Sequence, residues 1–457
     1  MFSMLSRSIS SAISRYITFE LGHGDIEKLK RIFSTSINIQ IIIAIIILIL
    51  SEIIAVWFLN TQMNIPETRI KAANWVLQCS IFTFIIDIVS IPYNASIIAH
   101  EQMKAFAYIS ILEACLKLLI VFMLDITPFD KLIVYGILVL TVSIIIRFVY
   151  GMYCKHHFKE CTYNFIFDKL LMKEMMGFSA WNFIGTASAA LKSQGVNIAI
   201  NIFCGPTVNA ARGLSMQVNT QVRNFASNFM MALNPQITKS YATGEFQYMM
   251  TLIFQGARLS FYLLLLLSLP IIIETNMILS LWLKNVPEHT ILFTRLALIE
   301  AMIESISSPL ITAMLATGKI RNYQIIVGGI QMLSFPLSYY LLYLGFFPEI
   351  TMIAAIIISL ACLAARLVML KKMICLPIKL YLKKVIANIT FVSCISTLIP
   401  FMTSFALSNN SLLNFCIICL VCFTSTLLSI LLVGCNKDER IFVLKKINSY
   451  IKNDSNK

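Results

Sequence analysis

Residues 36–59 read SINIQIIIAIIILILSEIIAVWFL, with Glu52 the one charged side chain among them. A helix needs about 20 predominantly apolar residues to cross the hydrocarbon core of a bilayer, and this stretch meets that length on its own. Eleven further segments read the same way, at roughly 74–98, 105–124, 131–153, 177–204, 208–234, 257–283, 290–316, 322–345, 348–370, 385–407 and 411–435. Strands are excluded, because lipid cannot satisfy the unpaired backbone groups of an open sheet edge. The expectation is an all-α integral membrane protein with twelve full transmembrane helices.

Composition agrees. Of the 457 residues, 58% are hydrophobic and 13% charged, and the mean hydropathy is +0.81. A soluble protein of this length needs far more charge to cover its surface. No cleavable signal peptide is visible: Met1 to Gly22 carries Arg7 and Arg15 but no compact apolar stretch and no small-residue cleavage site.

The formal charge of +14 would suggest nucleic acid in a soluble protein. Here the basic residues gather in alternate loops. One set of connections holds Lys28, Lys30, Arg31, Lys155, Lys159, Lys169 and Lys173, then the run Lys371 to Lys384 and the tail after Lys437. The other set holds only Arg69, Lys71, Lys131 and Lys284. The basic set is therefore expected on the cytoplasmic side, with the C-terminus. No nucleic-acid partner is implied. Cys416, Cys419 and Cys422 have metal-like spacing, but they lie in an apolar span without His or acidic neighbours and read as small apolar residues. Cys154, His156, His157 and Cys161 have ligand types for zinc, though a basic interfacial loop explains them more simply.

Two pieces of sequence recur in the same order. Gly24-Asp25 after Ile17-Thr18 matches Gly244-Glu245 after Ile237-Thr238, and Pro92, Ala99 and Lys104 match Pro309, Ala316 and Arg321. Each match lies at the basic end of a span. The two halves are therefore expected to be related in parallel, as halves flanking a central pathway often are.

Several longer strings carry a family likeness: SRYITFELGHGDIEKLKRIFSTSINIQI (14–41), IPYNASIIAHEQMKAFAYISILE (91–113), GPTVNAARGLSMQVNTQV (205–222), NPQITKSYATGE (234–245) and LATGKIRNYQIIVGGI (315–330). Through them the chain resembles the polysaccharide flippases, which handle lipid-linked oligosaccharides such as O-antigen units, of the MATE-like MOP exporter superfamily. The resemblance implies a MATE-like two-lobe bundle with pseudo-two-fold related halves and fourteen helices. Against that pattern the chain is expected to begin inside the second helix. The domains are then 1–153, an N-terminal lobe lacking its first helix and most of its second; 154–176, a cytoplasmic linker; 177–371, a C-terminal lobe; and 372–457, two additional helices and a basic tail. The implied activity is flipping of a lipid pyrophosphate-linked oligosaccharide from the cytoplasmic to the periplasmic leaflet of a bacterial inner membrane by alternating access. The implied partners are that lipid-linked cargo, membrane lipids, and a polysaccharide polymerase with other assembly proteins. No cofactor is implied.

Polar residues inside spans are costly and mark pathways or partners. The span 208–234 is the richest, with Arg212, Ser215, Asn219, Arg223 and Ser227 on one side. Two guanidinium forks on one face suit a phosphate. Arg223 lies deeper and is the favoured cavity residue, whereas snorkelling accommodates Arg212 near the outer end. Asn182, Thr186, Ser193 and Asn197, with Lys192 beside them, form a stripe suited either to sugar hydroxyls or to helix–helix bonding. Candidate substrate-binding residues are thus Arg212, Asn219, Arg223, Lys192, Asn182 and Asn197. Asp87, Glu300 and Glu304 are the candidates for ion coupling. Asp87 has a buried pair with Lys117 as its alternative, although Glu113 and Lys117 stand four apart and can pair with each other. Glu300 and Glu304 either repel and hold a proton between them or pair with Arg295 or a neighbouring helix. Arg147, Arg258 and Arg366 read as snorkelling. No metal or catalytic site is indicated, and no GxxxxGK loop or nucleophile–base constellation is present. The alternatives are a multidrug or cation exporter of the same superfamily, and a membrane glycosyltransferase or polysaccharide polymerase.

Overall fold

A computed structural model describes residues 2–61, 66–164, 168–283, 285–407, 412–436 and 439–441. Lys284, Lys437 and the tail beyond 441, which enter the charge pattern, lie outside the described residues. Among those described, the regular structure is entirely helical. Among the described residues nine helices are long and apolar enough to cross a membrane, so the chain is a multi-pass membrane protein. Each of the twelve expected spans overlaps a helix, with residue 411 of the last outside the described residues.

The chain divides into two compact units, Met1–Thr186 with Thr238–Glu245, and Ala187–Ile237 with Phe246–Lys457. The first contains α1 (Phe2–His23), α2 (Ile26–Thr61), α3 (Glu67–Ala99), α4 (Met103–Ile126) and α5 (Lys131–His157). Its core joins Phe33 and Ile37 of α2 to Ile97, Ile109, Val142 and Tyr150, with Cys154 fully buried beneath them. Asp25 and Asp130 cap α2 and α5 through the amides of Lys28 (3.0 Å) and Leu132 (2.9 Å). After α5 the chain folds back onto the same unit: Glu160 bonds His100, and the Tyr163 hydroxyl donates to Asn38 Oδ1 at 2.8 Å. No group of three or more His, Cys, Asp or Glu is placed to hold a metal ion among the described residues.

Helix α6 (Lys169–Ala242) contributes to both units and contains two of the expected spans. They are separated at Gly205, whose φ of 84° and ψ of 174° belong to a region essentially closed to side-chain-bearing residues. We expect Gly205→Ala to destabilise the protein by about 1–3 kcal/mol. Thermal unfolding of the purified variant measures this, and an unchanged midpoint would mean that the break relaxes freely.

The second unit adds α7 (Phe246–Ile273), α8 (Thr275–Trp282), α9 (Thr290–Ala316), α10 (Arg321–Tyr343), α11 (Ile350–Ile374), α12 (Ile378–Ala406) and α13 (Leu412–Gly434). The expected span 257–283 is shifted, since its helix starts at Phe246 and gives way near Glu274 to the short α8. Val196, Ile200, Ala211, Phe293, Ala297 and Met352 form a core here. In α13, Cys422 is buried against Ile418 and Leu269.

The two sequence matches have equal backbone geometry. Gly24 (φ 80°) precedes α2 as Gly244 (φ 77°) precedes α7. Helices α3 and α9 end at Ala99 and Ala316, and two residues on, Glu101 and Gly318 are both left-handed.

Two snorkelling assignments, Arg258 and Arg366, are corrected, and half-buried Arg147 gains a ring contact. Arg258 is buried and donates to the Gly434 carbonyl (3.0 Å) and Glu439 (2.6 Å). Arg366 is buried beside the Tyr323 hydroxyl, and Arg147 lies 3.8 Å from the Tyr93 ring centroid. A fixed internal partner outweighs the reach to water that span depth alone suggests.

Candidate functional site

A cavity of about 200 Å³ lies within the second unit. Helix α6 supplies Lys192, Ser193, Arg212, Met216 and Arg223 to it, α9 supplies Glu300 and Glu304, and α10 and α11 add Gln331, Ser334, Thr351 and Met352. The Gly205 break gives α6 two segments, so residues on both sides of one connection line one space. On α9, Glu300 and Glu304 stand four apart and therefore share a face.

The charged groups are interlocked. Lys192 Nζ lies 2.5 Å from Glu300 and 3.1 Å from Glu304, and within 3.4 Å of Ser359 Oγ. Arg223 reaches Glu304 at 2.5 Å. The glutamates therefore sit between cations, the pairing with a neighbouring helix that was the alternative to a proton held by their mutual repulsion. Arg295 does not pair with them; it donates to Thr275 Oγ1 at 3.1 Å.

Arg212 is placed differently from the snorkelling reading. Only 4% exposed, it lines the cavity and donates to the neutral Asn197 side chain. Among the described residues no carboxylate stands within ion-pair distance of it, and its Nε is buried without a hydrogen-bond partner. Ser334 Oγ, on the same lining, is also buried and unpartnered. Three cationic side chains thus face two carboxylates, and the surplus charge resides on Arg212. Glu300 is within electrostatic reach of Arg212 but does not pair with it; a buried guanidinium without a paired carboxylate is costly, and an anion in the cavity offsets that cost.

The other candidates are dispersed. Asn197 enters the site through Arg212. Asn219 is buried beside Met216 and does not line the cavity. Asn182 belongs to the first unit, where it donates to the Ser8 carbonyl at 3.1 Å, so its role there is helix–helix bonding. Asp87 lines a separate cavity of about 220 Å³ in the first unit with Ser90, Asn94, Glu113, Ser143 and Tyr150. Lys117 does not bridge to Asp87 but pairs with Glu113 at 2.5 Å. Sequence reasoning missed Gln331, Ser334 and Ser359. A Gln in the middle of an apolar span was the available signal for the first; serines in spans so often bond their own helix that they carry none.

No protein-family model matches the chain, and no curated protein matches it. Solved structures share its fold. One is an outward-facing multidrug resistance MATE family transporter of the MOP superfamily, at 12% identity and a TM-score of 0.66, covering 82% of this chain and 84% of that one. Another MATE structure has 10% identity and a TM-score of 0.72 over 82% and 85% of the two chains. A third is a MOP superfamily transporter from Pyrococcus furiosus Vc1 (DSM3638), described as having a binding pocket of reversed polarity, at 13% identity and a TM-score of 0.67 over 82% and 85%. The chain therefore has the fold of MATE transporters.

Proposed function

We propose that the protein is a membrane transporter for an anionic amphiphile, and that its cargo is a lipid pyrophosphate-linked oligosaccharide moved from the cytoplasmic to the periplasmic leaflet. The observation that carries the reading is Arg212, buried in the cavity and without a carboxylate. Its planar fork is matched to phosphate oxygens, and Arg223 and Lys192 extend the positive surface. Ser193, Gln331 and Ser334 offer hydrogen bonds to sugar hydroxyls. The MATE fold supports a membrane transporter of either cargo, and the sequence resemblance to polysaccharide flippases supports this one. Movement requires no bond chemistry in the cargo: the cavity holds the charged head while the lipid tail remains in the bilayer.

A second reading, export of drugs or other cations, is favoured by Glu304, a partly exposed carboxylate on the same cavity. The two readings separate in cells. In the native host, deletion of the gene is expected to leave the lipid-linked oligosaccharide on the cytoplasmic face and to deplete surface polysaccharide, with susceptibility to lipophilic cations unchanged. Normal polysaccharide with raised cation susceptibility would sink the first reading in favour of the second.

A further inference from the structure

The two carboxylates of the cavity are not equivalent. Glu300 has a side chain only 5% exposed, held by Lys192 at 2.5 Å with Ser359 Oγ 3.4 Å away. Glu304 is 24% exposed and faces Arg223, 44% exposed, across 2.5 Å. Lys192 reaches Glu304 too, at 3.1 Å, so one ammonium serves both carboxylates and Arg223 completes the neutralisation of the more accessible one. A carboxylate on a guanidinium uses the same parallel N–H donors that a phosphate uses. Glu304 thus occupies the place on Arg223 that an anionic headgroup would take.

We infer that Glu304 is an internal stand-in for the cargo's phosphate: an anion that binds Arg212 and Arg223 displaces the Glu304 carboxylate, which then takes up one proton. The inference rests on the anionic-cargo reading above. When Arg223 turns to the phosphate, Glu300 and Glu304 are left sharing Lys192. The site then holds three cationic groups against two carboxylates and the two charges of a pyrophosphate diester. Excess negative charge in a desolvated site is relieved by protonating the carboxylate with the weakest remaining partners. That carboxylate is Glu304, because Glu300 keeps the shorter Lys192 contact and Ser359. The proton comes from solvent on binding and returns to it on release, and no covalent bond of the cargo changes.

The other groups around Glu304 do not take this role. Helix α6 presents the cations Lys192, Arg212 and Arg223. Gln331 and Ser334 of α10 and Thr351 of α11 are neutral, and Cys362 of α11 is a thiol within electrostatic reach. Arg366, also on α11, sits by Tyr323. On α7, Arg258 is committed to Gly434 and Glu439, and the Tyr262 hydroxyl to Asn388. Glu300 is the one competing carboxylate lining the cavity among the described residues.

The test is calorimetric binding of a geranyl pyrophosphoryl monosaccharide to the full chain in nanodiscs. The probe is a diester with no ionisation of its own near neutrality. Titrations in buffers of different ionisation enthalpy count protons. Wild type is expected to take up about one proton per probe bound, and its affinity to rise by up to about tenfold for each pH unit lowered. Glu304→Gln removes the competing charge, so it is expected to bind about tenfold tighter or more and to take up no proton. The wild-type pH series stands by itself if that variant fails to fold. A wild-type affinity flat with pH and no proton uptake would overturn the inference while leaving the anionic-cargo reading intact. Weaker binding by Glu304→Gln with undiminished proton uptake would overturn it too. No binding by wild type at any pH would overturn both.

Discussion

Lys192→Met is expected to lower the stability of the protein by about 3–5 kcal/mol, the usual cost of leaving a buried charge without its partner. The Lys192 side chain is 14% exposed and that of Glu300 5% exposed, so water replaces little of what is lost. Glu300 would keep only Ser359, at 3.4 Å, and Glu304 would keep Arg223. The double substitution Lys192→Met with Glu300→Gln removes both charges and is expected to recover most of the loss, because a neutral amide can still bond Ser359. Thermal and denaturant unfolding of purified protein measures both effects. A single variant within about 1 kcal/mol of wild type would show that the pair does not hold α6 to α9.

Arg212→Ala is expected to reduce transport by about one to two orders of magnitude while the protein still inserts and folds. Loss of a charge-assisted bond to the cargo is worth roughly 1.5–3 kcal/mol, and here no second cation has the same freedom: Lys192 and Arg223 are already engaged by glutamates. Removing a buried guanidinium that has no paired carboxylate also relieves a cost in the empty protein, so stability is expected to hold or rise. Arg212→Lys keeps the charge but loses the fork and is expected to recover only part of the activity. The assay is the appearance of lipid-linked oligosaccharide on the outer leaflet, followed by its accessibility to a membrane-impermeant probe. Undiminished transport by the alanine variant would reduce Arg212 to a packing role.

Much of the fold is legible in the sequence because membrane solvent imposes it. Apolar length alone marks the helices, Gly205 followed by Pro206 marks the break in α6, and Gly24 and Gly244 mark equal turns before α2 and α7. The candidate site is legible in part. Arg212, Arg223, Lys192, Glu300 and Glu304 all belong to one cavity, and each stands out as a charge where lipid would penalise one. Their pairing does not follow from position along the chain. Depth within a span made Arg212 look like a snorkelling residue and Arg223 the free one, whereas the packing of α9 against α6 gives Arg223 a glutamate and leaves Arg212 without one. Asn182 shows the same limit: it shares a stripe with Asn197, yet the chain folds so that it meets the Ser8 carbonyl and not the cavity. Periodicity describes one helix, and a side chain's role is set by the helix opposite.

In the proposed function the cavity of the second unit receives an anion through Arg212. The most direct measurement is equilibrium binding to the purified protein in nanodiscs, with the sugar-linked pyrophosphate diester and a fluorescent lipophilic cation as ligands. Wild type is expected to bind the diester, Arg212→Ala to weaken this binding by at least about tenfold, and the cation neither to bind the cavity nor to compete. Tight binding of the cation that is lost in Glu304→Gln, with no binding of the diester by wild type, would contradict it.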